Sequence, residues 1–220
     1  ILNIFGFIHY SRDVPDGKDV NRSFPGSRTG SMAGRIAYHY TSAILSQIDY
    51  GIDLHTGGGQ RHNFPQIRYT HNDEQSEKLA KVFNAPISFA SKLIKGSFRN
   101  AAFLLKKPTV VFEAGESMRF DEYSIIEGMQ GILNVMKHLD MVTTLDPKYI
   151  ERNNTVHLGE RKWLRAPTAG MFVPSISNGS EIQKGQVLGI VSDPYAKRKK
   201  TVKAPCDGLV FCINHQAVVN

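Results

Sequence analysis

Short apolar runs alternate with amphipathic stretches over the first ~140 residues of the chain. Short β-type runs predict strands at residues 1–8, 50–54, 66–69, 87–90 and 109–113. The run at residues 1–8 is nearly continuously apolar, and this strand and the one at 109–113 are predicted to be buried. Apolar positions at helical spacing predict helices at residues 32–47, 73–83, 98–105 and 121–138. This alternation favours an α/β fold with a mostly parallel sheet flanked by helices.

The helix predicted at residues 121–138 has the clearest amphipathic pattern. Its large apolar residues recur at helical spacing and are predicted to form the core-facing side. They are Tyr123, Ile126, Met129, Ile132, Leu133, Met136 and Leu139.

The pattern changes after residue 147. Glycine and proline punctuate short alternating segments there, and no helical period remains. Two copies of A-P-x-x-G, at residues 166–170 and 204–208, each precede an apolar run. This internal repeat predicts a small all-β, barrel-like module. The domains are therefore predicted at residues 1–147 and 158–220.

The composition is that of a globular protein, with 41% hydrophobic and 21% charged residues among 220. No apolar run approaches the ~18 residues of a membrane span, and collagen, coiled-coil and disordered classes are excluded as well. We expect no membrane partner. The chain opens without Met inside one apolar run and stops just after another, so both ends are expected to be cut.

The net charge of +7 is scattered, and the densest basic run, residues 197–200, has only four members. A DNA surface needs several converging cations, so we expect a solvated loop there and no nucleic-acid partner. A basic protein also suits a small carboxylate substrate. Cys206 and Cys212 alone form no disulfide framework, which favours a cytoplasmic location. A homo-oligomer is compatible with the sequence, which leaves the oligomeric state open.

Ligands of open α/β sheets bind beyond the carboxyl ends of the strands, and the residues that end the strand at 50–54 are chemically suggestive. Asp53 and His55 are two residues apart, so they share one face of the strand. The imidazole can ligate zinc while the carboxylate orients it. The alternative is a lone histidine that caps a turn.

Asn21 and Arg22 are neighbours on a tight loop closed by Pro25 and Gly26. Such a pair suits a substrate carboxylate, because arginine binds it through two N–H groups and asparagine adds a donor. Arg12, upstream on the same loop, is placed at the same site. The alternative is an ordinary charged surface turn.

Glu113 closes the apolar strand at residues 109–113. A carboxylate in that position costs free energy unless it has a role or a partner. A general base beside a metal-bound water is one such role. The alternative is a salt bridge to a nearby arginine such as Arg119.

A catalytic zinc takes three protein ligands, and H-x-x-E pairs at residues 71–74 and 157–160 are the remaining candidates. The first suits a helix N-terminus capped by Asn72 or Asp73, and the second lies between the two predicted domains. Two matches are only mildly above chance for this composition, so neither is favoured as a metal site.

Three motifs together resemble a known family. Residues 19–26 (DVNRSFPG), 53–57 (DLHTG) and 112–116 (FEAGE) are similar, in this order, to the succinylglutamate desuccinylase/aspartoacylase family, a branch of the zinc carboxypeptidase-like hydrolases. The likeness covers nearly the whole chain, including its β-rich tail.

The resemblance implies a role for each motif. His55 matches the family's third zinc ligand, and Asn21 and Arg22 match its clamp for the substrate carboxylate. Arg12 matches the arginine that polarises the scissile carbonyl, and Glu113 the glutamate that activates the zinc-bound water.

The family's other two zinc ligands come from an H-x-x-E stretch that would precede Ile1. The resemblance therefore implies a Zn²⁺ cofactor whose other ligands are expected upstream of Ile1. Glu116 is then a bystander or a pocket residue.

The β-rich module resembles lipoyl- or biotinyl-type barrels through its paired A-P-x-x-G turns. Those barrels present a carrier lysine, and Lys197, Lys199 and Lys200 lie near that position, but the usual residues beside a carrier lysine are missing. A lid or wall of the active site is favoured. The sequence thus predicts a cytoplasmic zinc-dependent amidohydrolase that removes an N-acyl group from an amino-acid-like carboxylate. The alternative is a non-catalytic carboxylate-binding or carrier-like module.

Overall fold

The computed structural model of the chain describes residues 1–144 and 154–220. Its helices are α1 (Ile4–His9), α2 (Met32–Tyr40), α3 (Glu74–Phe83), α4 (Phe98–Leu104) and α5 (Glu122–His138). The strands of the main sheet are β1 (Gly51–Gly57), β2 (Arg61–Thr70), β3 (Ile87–Ser91), β4 (Thr109–Glu116), β5 (Val156–His157) and β11 (Cys212–Asn214). The other strands are β6 (Gly170–Pro174), β7 (Glu181–Ile182), β8 (Val187–Ser192), β9 (Lys199–Lys203), β10 (Gly208–Leu209) and β12 (Val218–Val219). Among the described residues, no helix combines the length and apolarity that a membrane crossing requires.

The four predicted helices and the later four predicted strands are present, but the strand predicted at residues 1–8 is wrong. This segment forms helix α1, in which the side chain of Asn3 accepts a hydrogen bond from the N–H of Gly6. The helix ends at Tyr10, whose backbone is left-handed. A short apolar run fits a strand or a helix equally well, and here a cap at each end stabilises the helix.

The main sheet is mixed, with parallel pairs in the majority. Its order is β1-β4-β2-β3-β5, and β11 pairs with the first residues of β2. Strand β1 is parallel to β4, and β3 is parallel to both β2 and β5. Strand β2 is antiparallel to β4. The carboxyl ends of β1 and β4 therefore meet the amino end of β2 at one edge of the sheet.

Two apolar cores fix the elements around this edge. The larger core lies between the sheet and helices α3 and α5, and it includes Ile67, Phe83 and Phe112. The second core buries Val20 and Phe24 against α2 and α4. The loop that contains Arg12, Asn21 and Arg22 is thereby anchored to the body of the domain.

The buried side of α5 agrees with the predicted one only in part, since Ile132 and Leu139 pack against the core as expected. Tyr123 and Met129 are 38% and 42% exposed, whereas the buried residues are Ser124, Glu127, Gly128, Gln130, Gly131 and Val135. The aromatic rings of the core reach so close to the helix that a Cβ on Gly131 would overlap the ring of Phe83. Small residues are buried here because the rings occupy the space.

The β-rich part beyond residue 160 forms a four-stranded antiparallel sheet, β12-β6-β8-β9, and a two-stranded ribbon, β10-β7. Its strand β11 leaves this part and pairs with β2 of the main sheet. Part of the predicted domain boundary lies in residues 145–153, outside the described residues. The boundary itself stays a prediction. The basic residues 197–200 are exposed, as predicted, but only residues 197–198 lie in a loop, because Lys199 and Lys200 begin β9.

Candidate functional site

Asp53 and His55 share one face of β1, as their spacing predicts. Nε2 of His55 lies 2.9 Å from Oδ2 of Asp53, and both side chains are about three-quarters buried. Burial opposes the charged imidazole, but the adjacent Asp53 and the more distant Glu113 outweigh it and raise the pKa of His55 above its ordinary value. A carboxylate that holds the far nitrogen of a histidine is the usual support of a metal-ligating imidazole.

Glu113 lies directly across from His55 in the register of β1 and β4. The alternative prediction, a salt bridge from Glu113 to a nearby arginine, is confirmed, but the arginine is not Arg119. Glu113 instead pairs with Arg68 of β2, and Arg119 lies 3.6 Å from Glu116. Strand pairing brings Arg68 beside Glu113, whereas Arg119 lies beyond the end of β4.

Asp19 organises the predicted carboxylate clamp, although it was not among the predicted site residues. Its Oδ2 lies 2.8 Å from Nε of Arg12 and 4.0 Å from Nη1 of Arg22. Its Oδ1 accepts a hydrogen bond of 2.8 Å from the backbone N–H of Asn21. One carboxylate thus orients Arg12 and the backbone of Asn21, with Arg22 nearby, and its position at the start of the DVNR motif was the available signal.

The side chain of Asn21 has a fixed orientation. Its Oδ1 accepts a 2.8 Å hydrogen bond from the backbone N–H of Phe98, at the start of α4. The amide NH₂ group is therefore the end that a ligand can use. The close approach of the two segments requires Gly96, whose φ is +79° and whose Cβ would overlap the carbonyl oxygen of Arg22.

The three predicted loops meet at this edge of the sheet. Nη1 of Arg12 lies near Gly58, 3.9 Å from the position that a Cβ on this glycine would take. Gly58 belongs to the loop that follows His55, and His55 lies beside Glu113. The structure therefore brings Arg12 to the loop after His55. Asp19 contacts both Arg12 and the backbone of Asn21, so Asn21 and Arg22 lie close to Arg12.

The donor set of the described residues does not by itself fit a catalytic zinc ion. Such an ion takes three protein ligands, and no group of three or more His, Cys, Asp or Glu in residues 1–144 and 154–220 is arranged to hold a metal. The two H-x-x-E candidates do not change this result. His71 lies in the turn before α3, and His157 is in β5 at the far edge of the sheet.

A polar cluster that the sequence did not predict joins the β-rich part to the main sheet. Nε2 of His62 lies 2.7 Å from Oδ2 of Asp121, and the Asn178 amide donates to the backbone carbonyl of His62. The ring of His215 stacks on His62 and lies 3.1 Å from Glu116. These residues come from four distant segments, so no local sequence pattern predicts that they meet. Glu116 lines a cleft of about 390 Å³ together with His62, Asp121 and His215 of this cluster.

Comparisons with known proteins agree with the resemblance. A family model described as the succinylglutamate desuccinylase/aspartoacylase catalytic domain matches residues 1–139. An N-alpha-acetyl-L-2,4-diaminobutyric acid deacetylase from Halomonas elongata is 26% identical over 93% of this chain. The chain spans 63% of the length of that deacetylase.

Solved structures share the fold. A succinylglutamate desuccinylase/aspartoacylase from Rhodobacter sphaeroides superposes with a TM-score of 0.84 at 24% identity, over 99% of this chain and 70% of that one. The product-bound ectoine utilization protein EutE from Ruegeria pomeroyi gives a TM-score of 0.84 at 24% identity, over 99% and 69% of the two chains. With the family model matching well over half of its residues, the chain belongs to the succinylglutamate desuccinylase/aspartoacylase family.

Proposed function

We propose that this chain provides the catalytic domain of an amidohydrolase that removes an N-acyl group from an amino-acid-like carboxylate. The observation that carries the proposal is the pairing of His55 with Glu113 at the carboxyl ends of β1 and β4, beside the loop that contains Arg12. Family membership and the deacetylase from Halomonas elongata support the same reaction. An N-acetylated amino acid such as Nα-acetyl-2,4-diaminobutyrate is the corresponding substrate class.

The side chains of this site divide the reaction among them. Asn21 and Arg22 bind the carboxylate of the substrate, and the Arg12 guanidinium donates to the scissile carbonyl oxygen. Glu113 accepts a proton from the attacking water as its oxygen bonds to the acyl carbon. The C–N bond then breaks, the leaving nitrogen takes the proton from Glu113, and the products are a free amine and the acyl acid.

Zinc stays a proposal, with His55 as its one ligand among the described residues and Asp53 as the support of that ligand. A bound zinc ion polarises a carbonyl and lowers the pKa of its bound water. The cytoplasmic location and the oligomeric state likewise stay predictions.

The Glu113→Gln substitution tests the proposal, because the amide cannot accept the proton from water. We expect kcat for Nα-acetyl-2,4-diaminobutyrate to fall by about 10²- to 10⁴-fold, measured as release of the free amine. Glu160→Gln is the matched control, since the Glu160 carboxylate is exposed and pairs with Lys162. Equal activity of Glu113→Gln and Glu160→Gln would contradict the proposal.

One observation favours the alternative of carboxylate binding without hydrolysis. The described residues offer no group of three metal-binding side chains, whereas the Asn21 side chain of the proposed clamp is held in one orientation by Phe98. Calorimetric titration with an N-acyl amino acid separates the two functions. Binding with no release of amine by the wild-type protein would establish the alternative.

A further inference from the structure

Both oxygens of the Glu113 carboxylate are held by side chains of β2. The Asn63 amide donates a 2.9 Å hydrogen bond to Oε1, and Nη2 of Arg68 pairs with Oε2. Glu113 is mostly buried, so its carboxylate retains little hydration of its own. A desolvated carboxylate is costly without donors and a counter-charge, and Asn63 and Arg68 supply both.

A bulge in β2 makes this arrangement possible. Gln66 lies opposite Glu113 and Asn63 lies opposite Gly115, so three steps along β2 match two along β4. The extra residue turns Asn63 to the same side of the sheet as Gln66 and Arg68. Bulges redirect side chains in this way next to functional sites.

The buried Gln66 fixes the orientation of the Asn63 side chain. Gln66 is fully buried and its Nε2 donates to Oδ1 of Asn63 over 3.2 Å, which fixes the Asn63 NH₂ group toward Glu113. A Cβ on Gly57 would lie 2.9 Å from Nδ2 of Asn63, so the strand that contains His55 also packs against this amide. The orientation of Glu113 is thereby tied to the end of β1.

The contacts of Arg68 differ from those of the neighbouring Arg99. The neighbouring Arg99 donates to the backbone carbonyls of Tyr69 and Lys92. The Arg68 guanidinium pairs with Glu113 and lies 5.5 Å from the centre of the Phe89 ring. Its Nε is buried and has no hydrogen-bond partner in the described part of the chain. Its polar contact is thus with the one carboxylate to which we assign proton transfer.

We infer that Asn63 and Arg68 are positioning residues for Glu113, and that together they fix the direction in which its carboxylate meets the substrate. The inference rests on the proposed function for its catalytic meaning. The contacts of Asn63 and Arg68 with the Glu113 carboxylate can be tested whether or not the protein is active. Two separate measurements on the full chain therefore test it.

The first measurement is a double-mutant cycle in thermal unfolding with Arg68→Met, Glu113→Gln and the double variant. If Arg68 and Glu113 interact, the Tm loss of the double variant is smaller than the sum of the single losses by at least about 3 °C. Arg161→Met is the matched control, because Arg161 lies over the same Phe89 ring and donates to the Ala90 carbonyl. Its loss should add to that of Glu113→Gln.

The second measurement is kinetic. Misplacing a catalytic group by about 1 Å costs on the order of 100-fold, so Arg68→Met and Asn63→Ala should lower kcat by about 10- to 100-fold with KM nearly unchanged. Arg68→Lys should recover part of the loss, and Arg161→Met should retain the wild-type kcat.

These outcomes separate the inference from the proposed function. Additive Tm losses in the Arg68 cycle, or equal kcat losses in Arg68→Met and Arg161→Met, would overturn the inference. An inactive wild-type protein would contradict the proposed function alone, and the unfolding cycle would then decide whether Arg68 holds Glu113.

Discussion

Asn21 shows how one side chain can serve both the fold and a ligand. Its carbonyl oxygen accepts the N–H of Phe98 and links the loop to α4, while its NH₂ group stays available. A serine or an alanine at this position would leave the Phe98 N–H without this acceptor. Arg22 likewise serves both the fold and a ligand. Its Nη1 donates to the backbone carbonyl of Asn21, while its side chain remains 44% exposed.

Arg22→Met tests the clamp. The loss of a charged hydrogen bond should raise KM for an N-acyl amino acid by about 10- to 100-fold, while an analogue with a neutral amide in place of the carboxylate should be affected little. Arg22→Lys should lie between, because lysine keeps the charge but not the paired N–H groups. Measured KM values for the two substrates decide, and equal losses on both would argue against the clamp.

Local spacing made some of these residues predictable and long-range pairing hid others. Asp53 and His55 are two apart on one strand, so their shared face follows from the sequence. The contact of Glu113 with Arg68 depends on strand order, and that with Asn63 depends on the bulge. Neither feature has a local signature. Arg119, the nearest arginine in sequence, was for that reason a poor guide.

Helix α5 shows the limit of hydrophobic periodicity at the scale of an element. The large apolar residues dominate the pattern, yet Gly128 and Gly131 are buried and lie directly against aromatic rings of the core. Phe83 and Phe112 fill the space from the other side, and their ring centres are 5.1 Å apart. A pattern of side-chain hydrophobicity cannot register a position that is buried because it has no side chain.

Gly131→Ala tests this packing. Alanine favours a helix over glycine by about 1 kcal/mol, but the added methyl would overlap the Phe83 ring, and overpacking a core costs about 1–3 kcal/mol. We expect a net loss in the free energy of unfolding, measured in urea. Gly128→Ala is the comparison, since its Cβ would lie 3.0 Å from the Phe112 ring and requires less displacement. A Gly131→Ala protein as stable as the wild type would refute this account.

The whole molecule is joined by contacts between its β-rich part and its main sheet. The hydrogen bonds of β11 to β2 and the cluster of His62, Asp121, Asn178 and His215 lie at the same junction. Burial raises the pKa of Asp121, but the backbone N–H of Ser124 and the adjacent His62 outweigh it and leave this pKa below its ordinary value.

A depressed pKa in the folded state fixes the sign of a pH effect. Ionised Asp121 contributes stability above its unfolded pKa of about 3.9, and this contribution is lost as the pH falls through the lower folded value. Asp121→Asn should therefore be less stable than the wild type at pH 7, with a difference that shrinks below about pH 4. Urea unfolding at pH 7 and pH 3 measures it. A difference that stays constant would exclude this role for Asp121.

The pairing of β11 with β2 also sets an order of events during synthesis. The partner of Asn63 in that ladder is Cys212, about 150 residues later. At ribosomal speeds of about 5–20 residues per second, the nascent chain waits on the order of ten seconds or more between making these two segments. Throughout that interval the amino end of β2 has an open edge, so the strand that bears Asn63 is exposed to wrong partners until β11 is made. Strand β11 thus determines when the general base of the proposed reaction acquires its final surroundings.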